Sequence, residues 1–255
     1  MNYDRNALAE LLRTLLQSLT LEQKNIFDHI MNSINDPKGG FFFIHGFGGC
    51  GKTYLWNTLS TALRKEGKIV LNVASSGIAS LLLPRGKTAH SQFVIPIAVN
   101  EDSVCNIKQG SPLAELLVHT SLIIWDEAPM ANKYCFEALD KSLRDINSRY
   151  VVEASVLPFG GKVVVLGGDF RQILPVISRG TREDIVFATI NSSYLWRYCK
   201  VFMLTQNMRL LTSKETSDAK ELADFSKWIL AVGDGIVPNE DETDDLIKIP
   251  SDFLL

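Results

Sequence analysis

A glycine-rich segment between an apolar run and a helical pattern constrains the fold of this chain most. The segment GFGGCGKT at 46–53 fits the pattern G-x-x-x-x-G-K-[ST]. The run FFFIH precedes it, and Leu55, Leu59 and Leu63 follow at a helical spacing. A strand, a glycine-rich loop and a helix in this order present backbone N–H groups to phosphate. The segment therefore predicts an α/β fold with a nucleotide phosphate site.

Four further apolar runs have the composition of strands that are buried on both faces. They are short, continuous and rich in Val, Ile and Phe, and they lie at 68–73, 121–127, 162–169 and 200–206. Helical patterns lie between them, including 53–65 and 131–146. Strands that alternate with helices predict a mainly parallel sheet with helices on both faces.

Composition excludes few classes of protein. The formal net charge of -3 gives no support for a nucleic-acid binder, although a local groove can still be basic. No apolar run approaches the ~20 residues that span a bilayer, so no membrane partner is expected. The four cysteines are scattered and form no C-x-x-C pair, which predicts free thiols.

Two acidic side chains end one of the apolar runs, and an amide side chain follows another. Asp126 would hold magnesium and Glu127 would orient the attacking water, as the second half of a phosphate site requires. An ordinary strand-end turn is the alternative for this pair. Gln172 follows LGGDFR and would contact a γ-phosphate, whereas the alternative is a Gly-Gly turn with an incidental glutamine.

Six segments occur along the chain in a fixed order. They are GFGGCGKT, ASSGIASLLLPRGKTAHSQF, DEAPM, FEALDKSLRDI, GGDFRQILPV and LTQNMR. Together they resemble the Pif-type (petite integration frequency) DNA helicases, most closely the eukaryotic branch that includes Helitron-like proteins. The resemblance covers roughly residues 15–235. It implies a RecA-like P-loop NTPase lobe of superfamily one, an ATP hydrolase that moves 5′ to 3′ on single-stranded DNA.

The resemblance implies a site for ATP with Mg²⁺. Lys52 would bind phosphate, Thr53 and Asp126 would bind the metal, Glu127 would be the catalytic base and Gln172 the γ-phosphate sensor. The phosphate cradle would consist of Gly46, Gly48, Gly49, Cys50 and Gly51.

Two further residues carry a resemblance and an alternative interpretation, and a third departs from the family's pattern. Arg209 resembles the arginine finger of the second motor lobe, and its alternative is a solvated arginine at a helix start. Gln23 resembles the adenine-recognising glutamine, although Thr20 and Gln23 also fit a capping box. Cys50 stands where the family usually has Thr or Ser, and its thiol is expected to point away from the phosphates and to be open to thiol reagents.

Two loops resemble the family's contacts with the backbone of single-stranded DNA. The residues concerned are Ser75, Ser76, Gly77, Thr88, His90, Ser91 and Phe93. Hydroxyl and N–H groups suit phosphate oxygens and read no sequence. Phe93 would stack on a base or lie in the core, and His90 is expected to orient its loop or touch DNA. The segment 136–146 is expected to be mainly structural, with Lys141 and Arg144 on a solvated face.

The expected organisation is N-terminal helices at 1–36, the first motor lobe at 37–206, and the start of the second lobe or a linker at 207–255. The acidic run 234–245 is interpreted as a solvated loop. The family's later motifs are not found, so the chain is expected to bind nucleotide, to hydrolyse it slowly if at all, and not to unwind DNA. The alternative function is a nucleotide-binding interaction module or another P-loop NTPase.

The resemblance also implies partners and a setting. The partners would be ATP, single-stranded DNA and duplex or quadruplex junctions, and the chain is expected to be a monomer. DNA repair, recombination and telomere maintenance are the implied processes. The nucleus is the expected compartment, with the mitochondrion as the alternative.

Overall fold

The computed structural model describes residues 4–211, 217–237, 247 and 249. The chain divides into two compact units, Met1–Gln206 and Asn207–Leu255. Most of the acidic run at 234–245 lies outside the described residues. Within the described ranges, no helix is long and apolar enough to cross a bilayer.

The strands of the first unit are β1 (Gly40–Gly46), β2 (Ile69–Ala74), β3 (Lys87–Thr88), β4 (Thr120–Asp126), β5 (Val163–Gly168) and β6 (Lys200–Leu204). Its α-helices are α1 (Arg5–Gln17), α2 (Leu21–Ser33), α3 (Lys52–Lys65), α4 (Gly77–Leu81), α5 (Ala89–Phe93), α6 (Pro112–Val118), α7 (Lys133–Asn147) and α8 (Arg182–Ala188). Short 3-10 helices lie at Ala128–Met130, Val152–Ser155, Pro158–Gly161, Ile190–Ser192 and Tyr194–Tyr198. The second unit contains α9 (Met208–Leu211) and α10 (Ser217–Gly233).

The six strands form one sheet in the order β3-β2-β4-β5-β1-β6, and every neighbouring pair is parallel. The predicted parallel sheet is therefore confirmed. The register places Ala74 beside Asp126 and His45 beside Gly168. Because the strands are parallel, the loops that follow β1, β2, β4 and β5 all leave the same edge of the sheet. Ligands of open α/β sheets bind at this carboxyl edge.

Alternating residues of the strands face two separate hydrophobic cores. In β1, Phe42 and Ile44 pack in the core that contains Leu55, Leu59 and Leu63 of α3. Phe41 and Phe43 point to the opposite face, into the core that contains Phe136, Leu139 and Leu143 of α7. Helices therefore cover both faces of the sheet, as the sequence predicts. The two-residue strand β3 is not predicted, because its apolar content is too low for a strand pattern.

The polar side of α7 includes a buried charge. Asp140 is fully buried and accepts hydrogen bonds from the backbone N–H of Phe159 (2.5 Å) and the hydroxyl of Tyr194 (2.7 Å). The guanidinium of Arg144 lies 2.8 Å from the same carboxylate. The expectation of a solvated Arg144 is therefore wrong, because its charge balances Asp140. The helix holds the turn at Phe159 through this carboxylate, in keeping with a structural role for 136–146.

Replacing Asp140 with alanine should lower the free energy of unfolding by about 3–5 kcal/mol, because it leaves Arg144 as a partly buried charge without its partner. Urea denaturation measures the change. Asp145→Ala on the same helix is the control, since Asp145 is exposed and should change stability by about 1 kcal/mol or less. Equal losses in the two variants would contradict the assigned role of Asp140.

Candidate nucleotide and DNA site

The glycine-rich loop connects β1 to α3 at the carboxyl edge of the sheet. Gly49 and Gly51 have φ angles of 94° and 87°, which favour glycine because side chains are strained there. A Cβ atom at Gly48 would meet nothing within 4 Å, so the loop is open at this position. Gly51 is the N-cap of α3 and provides no side-chain cap. The first N–H groups of α3 are therefore available to an anion at the positive end of the helix.

The ammonium group of Lys52 lies inside this loop. Its Nζ donates to the carbonyl oxygen of Gly46 at 2.5 Å and to that of Phe47 at 3.4 Å. Only 8% of Lys52 is exposed. The charge is thus held by neutral carbonyl groups at the place where phosphate would approach. A phosphate oxygen is the stronger acceptor for this ammonium, since both partners are then charged.

Cys50 contributes a side chain to the core beneath the loop. It is 2% exposed, and a Cβ atom at Gly46 would overlap its sulfur. Burial raises the pKa of the Cys50 thiol, although the nearby ammonium of Lys52 opposes the rise. The expectation that Cys50 is open to thiol reagents is therefore wrong, because a buried, protonated thiol is a poor nucleophile.

Asp126 ends β4 at the same edge of the sheet and is 6% exposed. Its Oδ1 is buried and makes no hydrogen bond of good geometry within the described residues, although the indole N–H of Trp56 lies near the carboxylate. Burial raises the pKa of Asp126, and the indole of Trp56 and the ammonium of Lys52 oppose the rise. A buried carboxylate oxygen without a partner is costly unless a cation binds it. The geometry therefore fits a metal ligand.

Glu127 has a left-handed backbone conformation, with φ at 50°. Such a conformation costs a non-glycine residue about 1–3 kcal/mol, and strain of this kind concentrates at functional sites. Burial raises the pKa of Glu127, the charges of Asp126 and Asp169 add to the rise, and Lys52 opposes it. The half-buried carboxylate thus lies in the field of the other charged groups of this edge.

The two glycines before Asp169 belong to β5 and do not form the turn that sequence reasoning offered as an alternative. A Cβ atom at Gly167 would overlap Trp56, and one at Gly168 would overlap Pro129. Glycine therefore allows β5 to pass close to the segment that carries the acidic pair. Gln172, which comes four residues after Gly168, is exposed at this edge.

Asp169 and Arg171 belong to the site, although sequence reasoning did not select them. Asp169 is 4% exposed and its Oδ1 accepts from the backbone N–H (3.1 Å) and the Nε (3.0 Å) of Arg171. Burial acts to raise the pKa of Asp169, but Arg171 and His45 outweigh burial and lower it. The D-x-R spacing could have suggested a local turn. The contact with His45 could not have been found, because it is tertiary.

Gln23 lies in the first turn of α2 and takes part in a capping box with Thr20, as the sequence pattern predicts. It is fully buried, and its Nε2 also donates to the carbonyl oxygen of Gly51 at 3.4 Å. The side chain therefore joins α2 directly to the phosphate loop. Both amide atoms of Gln23 are bonded to backbone groups, so the adenine contact, which stays a prediction, requires these bonds to open.

The two loops of the predicted DNA interface follow β2 and β3 at the carboxyl edge. Ser76 caps α4 and Thr88 caps α5, each by accepting a backbone N–H through its side-chain oxygen. Ser75 accepts from the indole N–H of Trp125 at 2.9 Å. Gly77 and Ser91 are exposed beside these caps. Each hydroxyl keeps its own proton, which it can donate to a phosphate oxygen.

Phe93 and His90 have different surroundings from the rest of the loop. Phe93 is fully buried, and its ring centroid lies 6.0 Å from that of Trp125 in the core. The prediction that Phe93 stacks on a base is therefore wrong, and the alternative of a core residue holds. His90 is half-buried, with its Nε2 3.8 Å from the sulfur of Cys135. Burial lowers the pKa of His90, which favours a neutral ring.

Arg209 lies in α9, in the second unit. Its side chain is outside what the structure describes, so its role as an arginine finger stays a prediction.

Comparison with known proteins gives a consistent set of relatives. The chain matches the PIF1-like helicase family over residues 18–243. It is 32% identical over 180 residues to ATP-dependent DNA helicase Pif1 of Psychrobacter sp. (strain PRwf-1). The aligned segment covers 70% of this chain and 26% of that relative. The chain is also 34% identical over 152 residues to ATP-dependent DNA helicase PIF4 of Trypanosoma brucei brucei. That alignment covers 57% of this chain and 18% of the relative. The chain thus spans a minor part of the length of both relatives.

Solved structures of Pif1 helicases share the fold. The Bacteroides Pif1 helicase in complex with ADP-AlF3 and ssDNA has a TM-score of 0.67 at 25% identity, covering 92% of this chain and 52% of that one. The Candida albicans Pif1 helicase has a TM-score of 0.66 at 22% identity, covering 87% and 45%. These structures confirm the predicted RecA-like P-loop fold. Since the family match extends over most of the sequence, the chain belongs to the PIF1-like helicase family.

Proposed function

We propose that this chain is the ATP-binding motor lobe of an ATP-dependent 5′–3′ DNA helicase. One observation carries the proposal. The phosphate loop with Lys52, the acidic pair Asp126 and Glu127, and the caps Ser76 and Thr88 all lie at the carboxyl edge of one parallel sheet. A nucleotide site and a backbone-binding surface at a common edge are what a DNA-driven ATPase requires.

We propose Mg²⁺ with ATP as the ligand of this edge. Thr53 and Asp126 would hold the ion, and the buried Oδ1 of Asp126, which makes no hydrogen bond of good geometry among the described residues, supports this assignment. When bound, the ion would neutralise charge on the β- and γ-phosphates. Lys52 would bind the outer phosphates, and Glu127 would orient the attacking water and accept its proton. Gln172 would contact the γ-phosphate.

One hydrogen bond connects the two halves of the site. The backbone N–H of Ser75, in the first DNA loop, donates to the carbonyl oxygen of Asp126 at 3.1 Å. The residue that would hold the metal is thus bonded directly to the loop that would hold DNA. A shift of the Asp126 backbone on nucleotide binding would move Ser75 directly through this hydrogen bond. This contact supports coupling between DNA and ATP within the lobe.

The wider setting is also a proposal. We propose single-stranded DNA as the track, with forked duplexes or quadruplexes as the junctions ahead of the motor. A monomer is the proposed working state. The nucleus is the proposed compartment, with the mitochondrion as the alternative, and DNA repair, recombination and telomere maintenance are the proposed processes.

Aspartate at the two helix caps tests the DNA surface without removing the caps. Aspartate is as good an N-cap as serine, so Ser76→Asp and Thr88→Asp should keep the fold. Each adds a negative charge where DNA phosphates would lie. Each should therefore weaken binding of a labelled single-stranded oligonucleotide about tenfold, measured by fluorescence anisotropy.

Ser111→Asp is the matched control, because Ser111 caps α6 in the same way. It should leave the affinity for DNA unchanged. If the three variants bind DNA as the wild type does, the assigned surface is wrong. If the wild-type chain binds nucleotide but no DNA, the chain is a nucleotide-binding module and the helicase proposal fails.

A further inference from the structure

A charged network joins the strand before the phosphate loop to the turn that carries Gln172. Asp169 binds the backbone N–H and the Nε of Arg171 through one oxygen. The Nη2 of Arg171 lies 3.4 Å from the Nε2 of His45, and the same His45 nitrogen lies 3.9 Å from Asp169. Arg171 and His45 are 126 residues apart in sequence. The network therefore ties β1 to the segment after β5.

Aromatic contacts fix the histidine in this network. The ring of Phe170 stacks on Phe43, with centroids 5.0 Å apart and an angle of 22° between the planes. The ring of His45 lies 6.1 Å from Phe170 at 14°. Phe170 is half-buried, and it lies between Asp169 and Arg171 in the sequence. The imidazole thus packs nearly parallel to the Phe170 ring, beside its contact with Arg171.

The turn that carries Gln172 depends on Asp169. The backbone N–H of Gln172 donates to the carbonyl oxygen of Asp169 at 3.1 Å, and the N–H of Arg171 donates to its side chain. The Gln172 side chain is exposed. Its position at the edge of the sheet is therefore set by the turn that Asp169 and Arg171 close.

The other end of the network reaches the phosphate loop. His45 directly precedes Gly46, whose carbonyl oxygen accepts from the Nζ of Lys52 at 2.5 Å. Binding of phosphate by Lys52 competes with that bond. A change at Gly46 would reach His45 through one peptide unit and Arg171 through one side-chain contact. Static contacts thus connect Lys52 to the turn that carries Gln172.

We propose that Asp169, Arg171 and His45 are positioning residues that hold Gln172 for a γ-phosphate and let the site distinguish ATP from ADP. The inference rests on the proposed function, because it assigns Gln172 to the γ-phosphate. A buried ion pair is weak grounds for a stabilising role, since apolar residues of similar volume often stabilise as well. A charge pair at this position is better explained by the geometry it imposes on the adjacent turn.

The test compares two nucleotides on the whole 255-residue chain. Isothermal titration calorimetry with magnesium measures the Kd of ADP and of an ATP analogue with a γ-thiophosphate. The wild-type chain should prefer the triphosphate. Arg171→Ala should reduce this preference about tenfold, a typical size for coupling between sites, while the Kd of ADP stays within about twofold. Arg171→Lys, which keeps the charge, should restore part of the preference.

The control is Arg182→Ala, because Arg182 is exposed in the first turn of α8. It should change neither Kd. Thermal melting checks that each variant folds, and Asp169→Asn provides the same test if Arg171→Ala does not fold. An unchanged preference, or an equal loss for both nucleotides, would overturn the inference alone. A wild-type chain that binds neither nucleotide would overturn the proposed function as well.

Discussion

Replacing Lys52 with alanine should weaken ATP binding by about 100-fold. Lys52 is 8% exposed, and its ammonium would bind phosphate in a site of low dielectric constant. Truncating one partner of a buried, hydrogen-bonded charge pair costs about 2–5 kcal/mol, and about 1.4 kcal/mol corresponds to a tenfold change in Kd. Titration calorimetry with ATP and magnesium measures the loss directly.

Lys65→Ala is the matched control, because Lys65 is the exposed last residue of the same helix α3. It removes the same charge from the same element and should leave the Kd of ATP unchanged. Lys52→Ala should also lose the bond to Gly46, which contributes about 1 kcal/mol to stability. An equal Kd for ATP in the two variants would show that the loop does not bind phosphate through Lys52.

Replacing Glu127 with glutamine should slow ATP hydrolysis by about 10²- to 10⁴-fold, which is the usual contribution of a general base. Glutamine has nearly the same shape and cannot accept the proton of the attacking water. ATP binding should be kept or become tighter, since the change removes one negative charge from an edge that already contains Asp126 and Asp169. Phosphate release under single-turnover conditions, compared with the Kd of ATP, separates the two effects.

Glu183→Gln is the control for this substitution, because Glu183 is exposed in α8. Its hydrolysis rate should equal that of the wild type. If Glu127→Gln hydrolyses ATP at the wild-type rate, then the strained backbone of Glu127 has another cause and the base is a different residue.

Much of the fold follows from local sequence patterns. The central strands β1, β4 and β5 are short apolar runs that only a doubly covered sheet can bury. The leucines of α3 and the apolar side of α7 keep a helical period and enter separate cores. The strand β3 could not be predicted, because two residues carry no period and are defined by their pairing with β2.

The site was partly predictable for a similar reason. Lys52, Asp126 and Glu127 stand at fixed places relative to a loop or a strand end, so sequence position locates them. Asp169 and Arg171 act through a contact with a distant strand, which no local pattern indicates. Phe93 and Cys50 lie within motifs, yet packing against the core decides their accessibility. Sequence patterns therefore locate residues at loops and strand ends better than they predict which side chains are buried.

The most direct test of a DNA-driven ATPase is magnesium-dependent ATP hydrolysis by the 255-residue chain, with and without a single-stranded oligonucleotide. The proposed function predicts slow hydrolysis that rises when the oligonucleotide is added and is lost in both Lys52→Ala and Glu127→Gln. Hydrolysis that is indifferent to DNA, or that persists in both variants, would contradict it.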